Sequence, residues 1–131
     1  MFDVRFVLLC LFALGIAYSI ELDTDRDGLS DEFEEALMLK FVPSFHISRD
    51  DCDIAPAEFH KASLEPKVKA RNGTVYGQVF PVTRDGVAGD FIEIHFYLLW
   101  GKDCGQAGHA LDTESVSSLL RADGDKWRPE M

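Results

Sequence analysis

The chain has 131 residues, is 47% hydrophobic, and sets 23 acidic against 13 basic side chains for a formal net charge of −10. That length is enough for one domain, and the composition is that of an ordered globular protein. With this acidic excess no basic patch is available to neutralise phosphates, so no nucleic-acid partner is expected, and the ligand stays unassigned.

The N-terminus reads "MFDVRFVLLCLFALGIAYSIEL". Arg5, partly offset by Asp3, precedes an apolar run over 6–16, and Ala17 and Ser19 give a small-x-small pattern before Ile20. Residues 1–19 therefore read as a signal peptide, and the mature chain as secreted or periplasmic. The alternative is an uncleaved membrane anchor, but 6–20 falls short of the roughly 20 residues a spanning helix needs. Membrane contact is expected only through this segment, unless the protein acts on lipids. Cys10 leaves with the signal, and Cys52 and Cys104 remain. In an oxidising compartment two remaining cysteines pair. The bridge would close a loop of about fifty residues, worth roughly 3–4 kcal/mol on the loop-entropy model. Two buried free thiols are the alternative. There is no CxxC spacing, which argues against a zinc site.

Residues 23–34, "DTDRDGLSDEFE", have the spacing of a calcium loop. Asp23, Asp25 and Asp27 occupy positions 1, 3 and 5, and Gly28 at position 6 permits the sharp turn. Leu29 offers its carbonyl at 7, Asp31 stands at 9, and Glu34 at 12 can close the site with two oxygens. Five carboxylates this close repel one another without a cation, and Arg26 offsets only one. The alternative is a solvated acidic helix start. A helix follows over 30–41, with Ser30 as N-cap and Asp31, Glu32 and Glu34 in the first turn, where the dipole favours acid. Phe33, Leu37 and Phe41 form its apolar stripe, with Ala36 beside it. Lys40 sits near its end, and Pro43 stops it. Residues 20–41 are thus a calcium loop plus helix, and 42–131 a β-rich domain.

The loop is EF-hand-like, but it has no incoming helix and carries Ser30 at position 8. It more closely resembles the one-sided "DxDxDGLxD" calcium loops of thrombospondin type 3 repeats and related secreted bacterial proteins. That resemblance implies a stabilising clip rather than a switch, because a sensor needs a helix pair that opens.

Beyond the helix, 41–48 reads as an edge strand or extended arm that Pro43 keeps out of a sheet centre. A helical turn is expected around 56–59. A strand over 74–82, turn chemistry over 83–90 and a strand over 91–100, "FIEIHFYLLW", make a hairpin. On the second strand Ile92, Ile94, Phe96 and Leu98 share one face, and Glu93, His95 and Tyr97 the other. A third strand covers 114–121, a turn 122–125, and "KWRPEM" begins a further element. Asn72-Gly73-Thr74 fits a glycosylation acceptor. The fold class is mainly β (α+β), a small antiparallel sheet preceded by the calcium loop and one helix.

The second informative stretch is "KDCGQAGHALDTE", 102–114. Asp112 and Glu114 are two apart, so they leave one strand face. His109 precedes them across a loop opened by Gly108, and Asp103 ends the neighbouring strand. Glu93 and His95 are expected to look toward the same side. Three carboxylates and an imidazole suit a second divalent cation, Mg, Mn, Ca or Zn. The plainer alternative is a glycine-bearing turn with an Asp cap and a solvated Glu.

"GHALDTE" is similar to the GHxxDxE signature of the necrosis-inducing protein family, secreted β-sandwich cytolysins, and Lys102-Asp103 matches that family's preceding "KD". The resemblance implies that Asp103, His109, Asp112 and Glu114 hold a divalent cation. "LKFVPSFHISRDDC" is likewise similar to the opening stretch of vacuolar-sorting-related β-sandwich proteins. Thr113 replaces the usual Trp, and the Asp103–His109 loop is short and carries Cys104. The chain ends where a full sandwich needs further strands, so the expectation is either a truncated sandwich or a minimal relative that folds differently from the family.

Three functions follow. The first is a secreted calcium-binding β-rich domain acting as a non-catalytic binding or surface module. The second is a metal-dependent hydrolase or lipid-acting toxin-like protein using Asp103, His109, Asp112 and Glu114. The third is a small structural protein stapled by calcium. No Ser-His-Asp order or phosphate loop is present. A Cys104 pair with His109 or His95 would lose its nucleophile to the disulfide.

Overall fold

The computed structural model describes residues 21–61 and 63–130. The signal-peptide assignment, 1–19, lies outside the described residues. The protein is mainly β, with one helix α1 (Asp31–Phe41), a two-stranded antiparallel sheet β1 (Glu58–Phe59) and β2 (Val68–Ala70), and a four-stranded antiparallel sheet. The latter runs β3 (Val75–Arg84), β4 (Val87–Lys102), β5 (Ala110–Asp123) and β6 (Lys126–Pro129) in chain order.

The helix forms where the caps place it. The Ser30 hydroxyl accepts the Phe33 N–H, three acids fill the first turn, and Lys40 stands in the last. Each satisfies or complements the free groups at a helix end. Strand β4 alternates strictly from Phe91 to Trp100, with Ile92, Ile94, Phe96, Leu98 and Trp100 buried on one face. That period of two sets the core. Val79 from β3, Leu120 from β5 and Leu37 from α1 close over it, with Phe33, Met38, Phe41 and Trp127 packed at its margin. Ala36 is exposed. Met38 takes the expected place instead, lying against Gly77 of β3 where a Cβ would collide with its sulfur.

The long turn expected over 83–90 contracts to Asp85-Gly86, with Arg84 paired to Val87. Both turn residues have positive φ, 54° and 78°. This is the backbone a two-residue hairpin loop demands, and Asp-Gly supplies it at little cost. Of the edge strand or extended arm expected over 41–48, no strand forms: 42–48 carries none. Pro43 lacks a donor and no strand pairs with the segment, while Phe45 packs against the core margin. The helical turn expected around 56–59 is instead β1, paired to β2. Tyr76 Oη accepts the Phe59 N–H at 3.0 Å, and Lys69 pairs with Glu58 at 2.5 Å. The Lys69 hydrogen bond holds the Glu58 carboxyl below its usual range.

Candidate metal centre

The N-terminal loop is shaped by its own carboxylates. Asp23 accepts the Arg26 N–H at 2.7 Å and the Gly28 N–H at 3.1 Å, and Asp27 Oδ1 accepts the Leu29 N–H at 2.8 Å. The turn passes through left-handed backbone at Arg26 and Gly28, φ 64° and 98°. The second of these suits glycine and would strain most other residues. The result brings one oxygen each of Asp23, Asp25 and Asp27 within 4.8 Å of one another, the only three such side chains so grouped among the described residues. Asp27 Oδ2 is shielded from solvent and has no hydrogen-bond partner. A shielded carboxylate oxygen without a donor is costly, and a cation is the partner that suits it.

Glu34, in the first turn of α1, falls outside this close grouping but feels its charge. Burial, and then the charges of Asp25, Asp27, Asp31 and Asp23, push its carboxyl above the usual range. Asp31 plays a different part. Its oxygens accept the Thr24 N–H at 2.8 Å and the Thr24 hydroxyl at 2.6 Å, and these bonds hold its carboxyl below the usual range. The Asp31 N–H also donates to the Leu22 carbonyl at 2.7 Å. Asp31 thus straps the loop closed from the helix start. The Leu29 side chain packs against the hydrophobic core while its carbonyl belongs to the loop.

The second stretch assembles in part. Asp112 and Glu114 do leave one face of β5, opposite Trp100 and Leu98. With Asp103 they line a cavity of about 70 Å³, together with Asp51, Asp53, Trp100, Lys102 and the Cys52–Cys104 bridge. The Trp100 Nε1 is buried without a hydrogen-bond partner. His109 does not line this cavity. Its Nδ1 lies 2.9 Å from the Leu111 carbonyl, and its Nε2 is 4.0 Å from Asp103 Oδ2. No three of Asp103, His109, Asp112 and Glu114 come within 4.8 Å of one another in the manner of the N-terminal loop. The local turn chemistry of 103–111, with Asp103 accepting from Gly105 and donating its N–H to the His109 carbonyl, competes for these groups. Glu93 and His95 correct a further expectation. They lie on the opposite sheet face, 2.9 Å apart and out of line for a hydrogen bond.

Asp51 and Asp53 are the cavity residues that sequence reasoning missed. Asp53 is 6% exposed, accepts Arg71 Nε at 2.8 Å and the Gly101 N–H at 2.9 Å, and so ties the segment before β1 to the end of β4. Both acids flank Cys52, as Asp103 flanks Cys104, and the bridge gathers the three. Asp53→Ala should cost about 1–3 kcal/mol by leaving the Gly101 N–H without its acceptor. Asp53→Asn should recover part of that, with urea midpoints as the readout.

The bridge joins cysteines 52 positions apart with Cα atoms 6.0 Å from each other. It fits an oxidising, non-cytoplasmic environment. No helix among the described residues is long and apolar enough to cross a membrane. Comparison of the chain with known protein families, with curated proteins and with solved structures finds no match in any of the three.

Proposed function

We propose that this is an exported calcium-binding β-rich domain, a non-catalytic binding or surface module whose N-terminal loop staples α1 to the sheet. The observation that carries this reading is the carboxylate group of Asp23, Asp25 and Asp27 with Asp27 Oδ2 shielded and unpartnered. Glu34 would close the ion from the helix, and the Leu29 carbonyl would complete it. Asp31 would contribute through its strap on Thr24 or through a water at position 9.

Glu34 supplies a test with opposite signs. Its raised pKa means that the metal-free folded chain binds this proton more tightly than the unfolded chain does. Metal-free stability from this group therefore rises as pH falls through the raised value, while calcium affinity falls, because ion and proton compete for the same oxygens. Glu34→Gln should accordingly raise the unfolding temperature of the metal-free protein and weaken calcium binding about tenfold or more. Trp127, whose partner Phe33 lies on α1 with ring centroids 6.3 Å apart, gives a fluorescence signal for the titration. A variant that loses metal-free stability and keeps its calcium response would sink the assignment of Glu34.

A second reading rests on the acidic cavity beside the bridge. Asp103, Asp112 and Glu114 would take a second divalent cation there, as the likeness to the necrosis-inducing family suggests, and a metal-dependent hydrolase or lipid-acting activity would centre on it. The unpartnered Trp100 Nε1 favours a ligand that also offers an acceptor. A second calorimetric site lost on Asp112→Ala would support this reading, and a single site unaffected by that change would remove it.

A further inference from the structure

Asn72 is the chain's only asparagine, and it opens the sequence Asn72-Gly73-Thr74 on the loop that joins β2 to β3. Residues 71–73 are exposed, and the turn passes through left-handed backbone at Gly73, φ 79°. The Gly73 N–H donates to the Pro56 carbonyl at 3.0 Å and so fixes the loop. Asn72 Oδ1 accepts the Thr74 hydroxyl at 2.6 Å and the Thr74 N–H at 3.2 Å, while Nδ2 donates to Glu58 Oε2 at 3.2 Å. The turn itself therefore uses the amide oxygen, and the nitrogen spends one of its two hydrogens. The other hydrogen has no partner among the described residues. A Cβ at Gly73 would meet nothing within 4 Å, so there is open space beside the turn.

That amide stands at the rim of a groove. Glu58 and Thr74, its two bonding partners, line a trough of about 360 Å³ together with Phe59, His60, Tyr76 and Leu99. Tyr76 and Leu99 belong to the sheet face opposite the buried one. The trough is thus apolar and aromatic within, with charged and hydroxyl groups at its edge.

We propose that Asn72 carries an N-linked oligosaccharide whose first sugar lies over this groove. The proposal rests on the export reading, since the transfer belongs to the secretory pathway. In that transfer Asn72 Nδ2 attacks C1 of a sugar held on a lipid diphosphate. The N–C1 bond forms, the C1–O bond breaks, and the diphosphate leaves with the electron pair. The nitrogen gives up one of its two protons to the transferase. That enzyme reads a hydroxyl residue two places on, which Thr74 supplies, and it modifies chains that leave the cell by a surface loop of this kind. The substituted nitrogen keeps one hydrogen, so its bond to Glu58 survives, as do both bonds to Oδ1. A pyranose ring presents an apolar face of C–H groups, which suits Phe59 and Tyr76. Its hydroxyls suit the polar rim at Glu58 and Lys61.

The test expresses the full chain, with its own N-terminal segment, in a eukaryotic secretory cell and weighs the protein recovered from the medium. A mass above that of the polypeptide by one N-linked oligosaccharide is expected, and peptide-N-glycosidase should remove it and leave aspartate at 72. Thr74→Ser should keep the oligosaccharide, and Thr74→Ala should lose it. The seat over the groove is measured by the unfolding temperature. Protein trimmed to its first sugar should match the full glycoprotein. Both should unfold a few degrees above the same chain exported to a bacterial periplasm without the sugar. A secreted chain of bare mass, or an oligosaccharide that survives Thr74→Ala, would overturn the proposal and leave the export reading standing. A trimmed protein no more stable than the bare one would remove the seat over the groove. A chain retained inside the cell would overturn the export reading and the modification with it.

Discussion

Stripping calcium from the protein is expected to lower its unfolding temperature by roughly 10 °C, and Asp27→Ala is expected to do the same with calcium present. The size follows from linkage. At about 2 mM calcium and a Kd of about 0.1 mM, as in extracellular modules, binding contributes about 2 kcal/mol. For a domain of roughly 100 residues each kcal/mol moves the midpoint by about 4–8 °C. The effect reaches the core because of Leu29. On the proposed reading its carbonyl would face the ion, while its side chain packs against the core cluster that includes Leu37 and Ile94. Without the ion, four aspartates and Glu34 repel across the start of α1, and the covering of Val79 and Ile94 loosens with it. Differential scanning calorimetry with and without a chelator measures this. A midpoint that does not move would mean that the loop is a solvated acidic helix start.

Opening the Cys52–Cys104 bridge should cost more, about 3–4 kcal/mol for a closed loop of about fifty residues. The Cα separation of 6.0 Å lies within the span of ordinary disulfides. The segment before β1 has few other anchors, chiefly Asp53 on Arg71 and Gly101 and the Ala57 N–H on the Leu99 carbonyl at 2.7 Å. The Cys52→Ser, Cys104→Ser double variant should therefore lower the urea midpoint sharply while leaving calcium binding at the N-terminal loop intact. The two effects should add, because loop and bridge share no residue. Strong coupling between them would show that the N-terminal loop and the bridged end unfold as one unit through the sheet.

The parts of the fold that were legible in the sequence are those specified locally. The grouping of Asp23, Asp25 and Asp27 could be read because alternate acids before a glycine bring their side chains together as the chain curls. The hairpin could be read because Asp85-Gly86 supplies two positive φ angles between alternating strands. Strands β1 and β2 could not, since two and three residues carry no period. They are held instead by distant partners, the Tyr76 hydroxyl and the Glu58–Lys69 pair. The acidic cavity was half legible. Asp112 and Glu114 follow from the period of a strand, but Asp51 and Asp53 arrive only through the bridge. Acids on both sides of Cys52 and beside Cys104 were the available signal. For His109, spacing says nothing of tautomer or turn, and its Nδ1 lies 2.9 Å from the Leu111 carbonyl.

The central claim is that Asp23, Asp25, Asp27 and Glu34 hold one calcium ion, and calorimetric titration of the exported protein tests it most directly. One saturable calcium site that disappears in Asp27→Ala is the result expected. No calcium heat, or the same heat after Asp27→Ala, would contradict it.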